Sequence, residues 1–320
     1  MGVVLVHTSM FALGNQRHLD SWAWWTADVG NSLGRSASTI FAMVAGAVLL
    51  ARPIEVAPCR FIWQRISRLF VALAGWTAIY LLWRHWQGEI LTFAVVARDI
   101  VAGRPFYHLW FLYAMLGAYV LMPGMRLLVR EPVAKVAWLS TLATAAFAGA
   151  YSTDIVATGI WPGMFIGLTP LLVPYVLAGG LLYRDGVPLS TPTLAMVAAL
   201  AVLAIMLLVA WLHPAATPQA ARLMHGLRVP LTYLWIGGLF LLVLRMPRDP
   251  GSHAWARRIA PVTLGIYAVH PLWIDLFERA GFGIKQPGGS WLLYAVLIYA
   301  LSAVTALALG AIPGLRRLAR

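Results

Sequence analysis

Apolar residues dominate ten stretches of the chain, near 1–13, 32–51, 66–83, 108–128, 133–151, 162–183, 192–212, 228–245, 259–277 and 290–312, each bounded by a shorter polar or basic segment. An α-helix rises 1.5 Å per residue, so about 20 apolar residues cross a hydrocarbon core of ~30 Å. The pattern therefore predicts an all-α, polytopic membrane helical bundle of about ten transmembrane helices. Residues 1–320 read as a single integral-membrane domain, without a fixed-period repeat, a low-complexity tract or an appended soluble domain. The first run spans only about 20 Å and no basic segment precedes it, which predicts a helix that begins upstream of Met1 rather than a signal peptide.

Two segments depart from the pattern. Residues 90–102, with Arg98 and Asp99, form a short amphipathic stretch expected to lie at the outer interface. The run from Trp161-Pro162-Gly163 through Pro170, Pro174 and Gly179-Gly180 is expected to bend, either as a kinked packing helix or as a broken helix beside a cavity, because proline removes helix donors.

Composition agrees with a membrane location: 61% of residues are hydrophobic, 11% are charged and the mean hydropathy is +0.78, far from a soluble average of about 25% charged. Net charge is +13. Fifteen of the 24 basic residues fall in the loops around 52–68, 126–135, 184–191 and 245–258 and in the C-terminus, against eight on the opposite side, with Arg35 at the start of a span. That asymmetry places the first side, and with ten crossings both termini, in the cytoplasm, and it explains the charge without a nucleic-acid partner. Cys59 is the only cysteine, which excludes an intramolecular disulfide. No zinc spacing, P-loop, nucleophile elbow or Rossmann glycine pattern occurs, so neither a metal nor a bound cofactor is expected.

Against this apolar background the ionisable residues inside spans stand out, since each costs roughly 2.5–3.5 kcal/mol to insert unless a partner, cavity or pathway receives it. His7 and His270 are two of them. A neutral imidazole takes a proton from a hydroxyl near pH 7, so His7 is a candidate general base; bonding to a neighbouring helix is the alternative. Pro271 follows His270 and frees a backbone carbonyl one turn earlier. Asp275 lies about 140° round the helix from His270, so any carboxylate partner must come from another helix.

Arg65 and Arg68 lie three apart on one helical face, at the cytoplasmic end of a span, and form either a phosphate fork or a pair of lipid-headgroup anchors. Arg35, Ser38, Thr39, Ala42 and Gly46 share a face of small and polar residues, in which Arg35 either snorkels to the outer interface or binds an anionic acceptor. His108 and Trp110 open another span at the outer side, where Trp110 reads as an interfacial anchor.

Taken in order, His7, Arg35 ahead of Ile40-Phe41-Ala42-Met43-Val44-Ala45-Gly46, Arg65-Ile66-Ser67-Arg68, His108-Leu109-Trp110-Phe111-Leu112 and Gly265-Ile266-Tyr267-Ala268-Val269-His270-Pro271 resemble the motifs of membrane-bound acyltransferase family 3. Ala45 stands where many members carry serine, and the basic segment before the first-helix histidine is missing. The resemblance is to the stand-alone O-acetyltransferases of that family. It implies acetyl-CoA as acyl-donor substrate, with Arg65 and Arg68 on its phosphates, and His7 as base. It also implies His270 as a possible oxyanion donor and a hydroxyl of a cell-envelope glycan or lipid-linked sugar as acceptor. Arg35, His108 and Trp110 would then border the acceptor or its cavity, in the bacterial inner membrane among its lipids. The rival reading is a membrane transporter or flippase for a small anionic or glycolipid substrate, supported by the interrupted 162–180 segment. An inactive member serving as a sensor or assembly subunit is a third.

Overall fold

The computed structural model describes residues 1–15, 22–51, 57–129, 134–158, 163, 167–212, 218–246, 259–282 and 290–319. All secondary structure among them is helical. The helices are α1 (Gly2–Asn15), α2 (Trp22–Gly34), α3 (Ser36–Leu49), α4 (Pro58–Trp86), α5 (Phe93–Val101), α6 (Trp110–Val129), α7 (Ala134–Thr158), α8 (Thr169–Asp185), α9 (Thr191–Leu212) and α10 (Pro218–Arg245). A 3-10 turn (Ala260–Val262) then leads into α11 (Thr263–Arg279), followed by α12 (Ser290–Ala311) and α13 (Arg316–Ala319).

A helix occupies each of the ten apolar stretches. Six stretches among the described residues are long and apolar enough to cross a membrane: Trp22–Leu49, Pro58–Trp86, Trp110–Val129, Thr191–Leu212, Ala260–Arg279 and Trp291–Ala311. Pro230–Arg245 is a shorter apolar helix. The helices at 1–13, 133–151, 162–183 and 228–245 are not among these six in the described residues, so the count of ten rests on pattern only.

One boundary differs materially. The span expected at 32–51 starts at Trp22, because α2 and α3 run on from each other with a single turn at Arg35. Asp28, Asn31, Ser32 and two glycines lower the hydropathy of α2, yet the three polar residues are buried and Trp22 and Leu33 are exposed. In hydrocarbon the polar face turns inward, so such a helix is invisible to an average of hydropathy. Arg35 accordingly stands in the interior of a span and not at its outer end.

Contacts divide the chain into two compact units. Unit 1 comprises Met1–Ala37, Val209–Pro214 and Pro247–Arg320; unit 2 comprises Ser38–Leu208 and Ala215–Met246. In unit 1, α1 packs on α2 and α12, and α11 on α12. Val4, Ile274 and Ile298 form a buried cluster there. Glycines set the closest approaches: a Cβ on Gly34 would lie 2.5 Å from the Gly2 carbonyl oxygen and 2.8 Å from Val6, and one on Gly30 would strike the Trp291 ring. The Trp291 indole donates to Thr26 Oγ1 over 3.1 Å, bridging α12 to α2.

In unit 2, α6 and α7 pack on α8, and α4 on α6. A Cβ on Gly46 would lie 1.9 Å from the Val176 carbonyl oxygen, and one on Gly179 would lie 2.0 Å from that of Met43, so α3 and α8 touch backbone to backbone. This packing accounts for the small residues Ala42 and Gly46 on α3. Trp161 and Pro162 lie outside the described residues. From Thr169 the segment is one packed helix that carries Pro174 inside it. The 90–102 stretch forms α5, capped by Thr92 Oγ1, which accepts from the Val95 N–H. Arg84, near the end of α4, bonds Asp99 and the Pro105 carbonyl, each over 2.8 Å, and pairs with Glu89. The Arg84 hydrogen bond holds the Glu89 carboxyl below the usual carboxylate range.

Candidate active site

The local chemistry of α11 begins with Pro271. A helical carbonyl at Tyr267 would ordinarily accept from the N–H four residues on, and Pro271 has none. The Nδ1 of His270 occupies that acceptor instead, 2.7 Å from the Tyr267 oxygen. Because a carbonyl only accepts, Nδ1 carries the proton and the lone pair of the neutral ring sits on Nε2. His270 is fully buried.

The ring of His7, from α1, stacks on His270 with centroids 5.2 Å apart and planes at 30°. His7 is only partly buried. The pair is thus layered, a fully buried imidazole stacked on a partly buried one. An imidazole with no accessible surface cannot reach an oxyanion on a substrate, and Nε2 of its neutral form is no donor.

Beside the pair runs the polar face of α2, which sequence reasoning did not single out. Arg35 Nε donates to Asn31 Oδ1 over 2.8 Å, and Asn31 Nδ2 reaches Ser9 Oγ on α1 at 3.4 Å. Ser32 Oγ lies 3.4 Å from Asp28 Oδ1. The Arg35 charge is within electrostatic reach of both His7 and Asp28. Its guanidinium makes no ion pair with the described residues and retains accessible surface. One edge is anchored by Asn31, which leaves the Nη groups for an anion. Asp28, Asn31 and Arg35 recur at helical spacing, and that all-polar face was the available sequence signal.

In unit 2, Arg65 lies at the beginning of α4, partly buried, with Cζ 5.7 Å from the Phe61 ring centroid, and Arg68 is exposed one turn on. Neither is engaged by a carboxylate among the described residues. Arg65 is also within electrostatic reach of Tyr119 on α6. Two uncommitted guanidinium groups one turn apart suit a phosphate-bearing ligand.

His108 stands elsewhere, buried against Tyr80 (4.8 Å, edge-on), Phe106 (5.8 Å) and Tyr107 (5.6 Å). Tyr80 is fifteen residues beyond Arg65 on α4, about 22 Å along the helix, so the arginines and His108 mark opposite ends of it. Trp110, partly buried, begins α6 edge-on to Phe111 at 6.1 Å. The structure thus brings His7, His270 and Arg35 together and keeps Arg65 and Arg68 apart from His108 and Trp110.

Membrane-length helices and a layered imidazole pair enclosed by a helical unit define a membrane protein with enzyme-like polar chemistry in an apolar setting. The family model described as an acyltransferase domain, Acyl_transf_3, matches residues 1–311, and the chain belongs to that family. It is a membrane acyltransferase. No curated protein and no solved structure matches the chain.

Proposed function

We propose that this membrane acyltransferase is an O-acetyltransferase of the bacterial inner membrane, with both termini cytoplasmic, moving an acetyl group from acetyl-CoA to a hydroxyl of a cell-envelope glycan or lipid-linked sugar. The observation that supports it best is the partly buried His7 ring stacked on a His270 ring whose tautomer is held by the Tyr267 carbonyl. In this reading His7 removes the acceptor hydroxyl proton, the oxygen attacks the thioester carbonyl, and the carbon–sulfur bond breaks. The proton then passes from His7 to the departing thiolate. The Arg35 Nη groups stabilise the oxyanion of the tetrahedral intermediate, and His270 positions His7. Arg65 and Arg68 hold donor phosphates. His108 and Trp110 border the acceptor at the other end of α4.

Membrane-dependent release of free CoA from acetyl-CoA, stimulated by a glycan acceptor, with a product heavier by one acetyl group, tests the reading. Turnover retained in His7→Ala, or glycan flux without acyl transfer, overturns it. Flux would restore the transporter reading, which family membership disfavours.

A further inference from the structure

Unit 2 contains a groove of about 830 Å³ among α7, α8, α9 and α10. Its walls are almost entirely hydrocarbon, with few hydroxyls among them, those of Thr141, Tyr175 and Tyr233. Tyr175 and Tyr233 stack face to face at 4.3 Å and close one wall. Leu142 and Leu234 line the groove and are also exposed, so it opens sideways onto the surface of apolar helices. It extends from Trp138 to Ala150 on α7 and from Pro230 to Leu241 on α10, a depth of about 18 Å at helical rise and hence close to one leaflet of a ~30 Å hydrocarbon core.

One end of the groove is polar. Val187 and Leu189, which line it, have carbonyls that accept from Arg245 Nη2 over 2.9 Å and from Nη1 over 2.7 Å. Trp138, also lining, donates to Asp185, which pairs with Arg184. Arg184 and Asp185 cancel, whereas Arg245 is neutralised by no carboxylate among the described residues. A leaflet-deep apolar slot with an indole and a cation that no carboxylate compensates among the described residues matches a hydrocarbon chain beneath a phosphate. The rim also belongs to the loops that carry the excess of basic residues.

We propose that this groove binds one acyl chain of an anionic glycerophospholipid, with its phosphate on Arg245. None of its lining residues is one of the acyl-transfer residues, and its occupancy is read without turnover.

The test is native mass spectrometry of the full-length protein released from vesicles of phosphatidylglycerol and phosphatidylcholine in equal parts. Wild type should retain phosphatidylglycerol preferentially. Arg245→Gln should lower that preference about fivefold while still retaining lipid, the effect of one basic residue at a membrane surface. Gly237→Leu should remove the retained lipid of both kinds, because Gly237 lines the groove and a Cβ there meets nothing nearer than Leu182 at 3.9 Å, so the new side chain fills the slot without a backbone clash. Gly237→Ala should retain lipid and reports on folding. Equal retention of the two lipids by wild type, or undiminished retention by a folded Gly237→Leu, overturns the proposal.

Discussion

His270 donates from Nδ1 to the carbonyl of Tyr267 over 2.7 Å, taking the place of the N–H that Pro271 lacks. Three residues within one helical turn therefore fix a ring and its tautomer. Pro271→Ala returns a competing N–H to that carbonyl. It should lower kcat by up to about tenfold, the worth of one hydrogen bond, with KM for acetyl-CoA unchanged. A steady-state comparison of the two constants checks this; a change confined to KM would count against a positioning role.

His7 is the less buried member of the stacked pair and the proposed base, so its loss removes more than a contact. His7→Ala should reduce acyl transfer by ~10²–10⁴, with expression and donor binding retained. His7→Gln keeps a polar side chain but no base and should be equally inactive. Release of free CoA measures both.

Arg35 is held by Asn31, which also reaches Ser9 on the neighbouring helix. Asn31→Leu leaves the buried edge of the guanidinium without its acceptor and should destabilise the protein by about 1–3 kcal/mol. Arg35→Lys lacks the planar fork and should lose kcat more than donor affinity. Thermal unfolding in detergent reports the first effect, and saturation kinetics the second.

Arg65 and Arg68 present adjoining cations that no carboxylate engages among the described residues. Charge-assisted hydrogen bonds are worth about 1.5–3 kcal/mol, so Arg65→Ala should raise KM for acetyl-CoA by roughly tenfold or more, and the double Ala variant further. An unchanged KM in both variants would leave only a lipid-anchoring role.

Gly46 approaches the Val176 carbonyl so closely that a methyl group would lie 1.9 Å from its oxygen. Gly46→Ala should force α3 and α8 apart and lower the melting temperature, at a cost of at least 1–3 kcal/mol, the usual range for overpacking. Gly124→Ala, where a Cβ meets nothing within 4 Å, is the matched control and should leave melting unchanged.

Much of this architecture was legible from composition and spacing. Hydropathy located helices at all ten apolar stretches, and the Arg65/Arg68 face follows from a three-residue interval. α2 was overlooked for a physical reason: its Asp28, Asn31 and Ser32 are buried, and an averaged hydropathy cannot distinguish a polar residue turned toward protein from one turned toward water. The same averaging starts the second span at 32 and puts Arg35 at an interface, where snorkelling and anion binding are equal explanations.

Sequence alone determined the helical membrane class, the order of the motifs and the carbonyl that Pro271 leaves at Tyr267, since each depends on covalent structure or on intervals along one helix. Tertiary structure alone decided that His7 lies on His270, that Asn31 links Arg35 to Ser9, and which face of α2 turns inward. Those contacts join residues from distant parts of the chain, and their geometry is set by the backbone approach at Gly34 and Gly2 and by packing against α12, neither of which has a local signature.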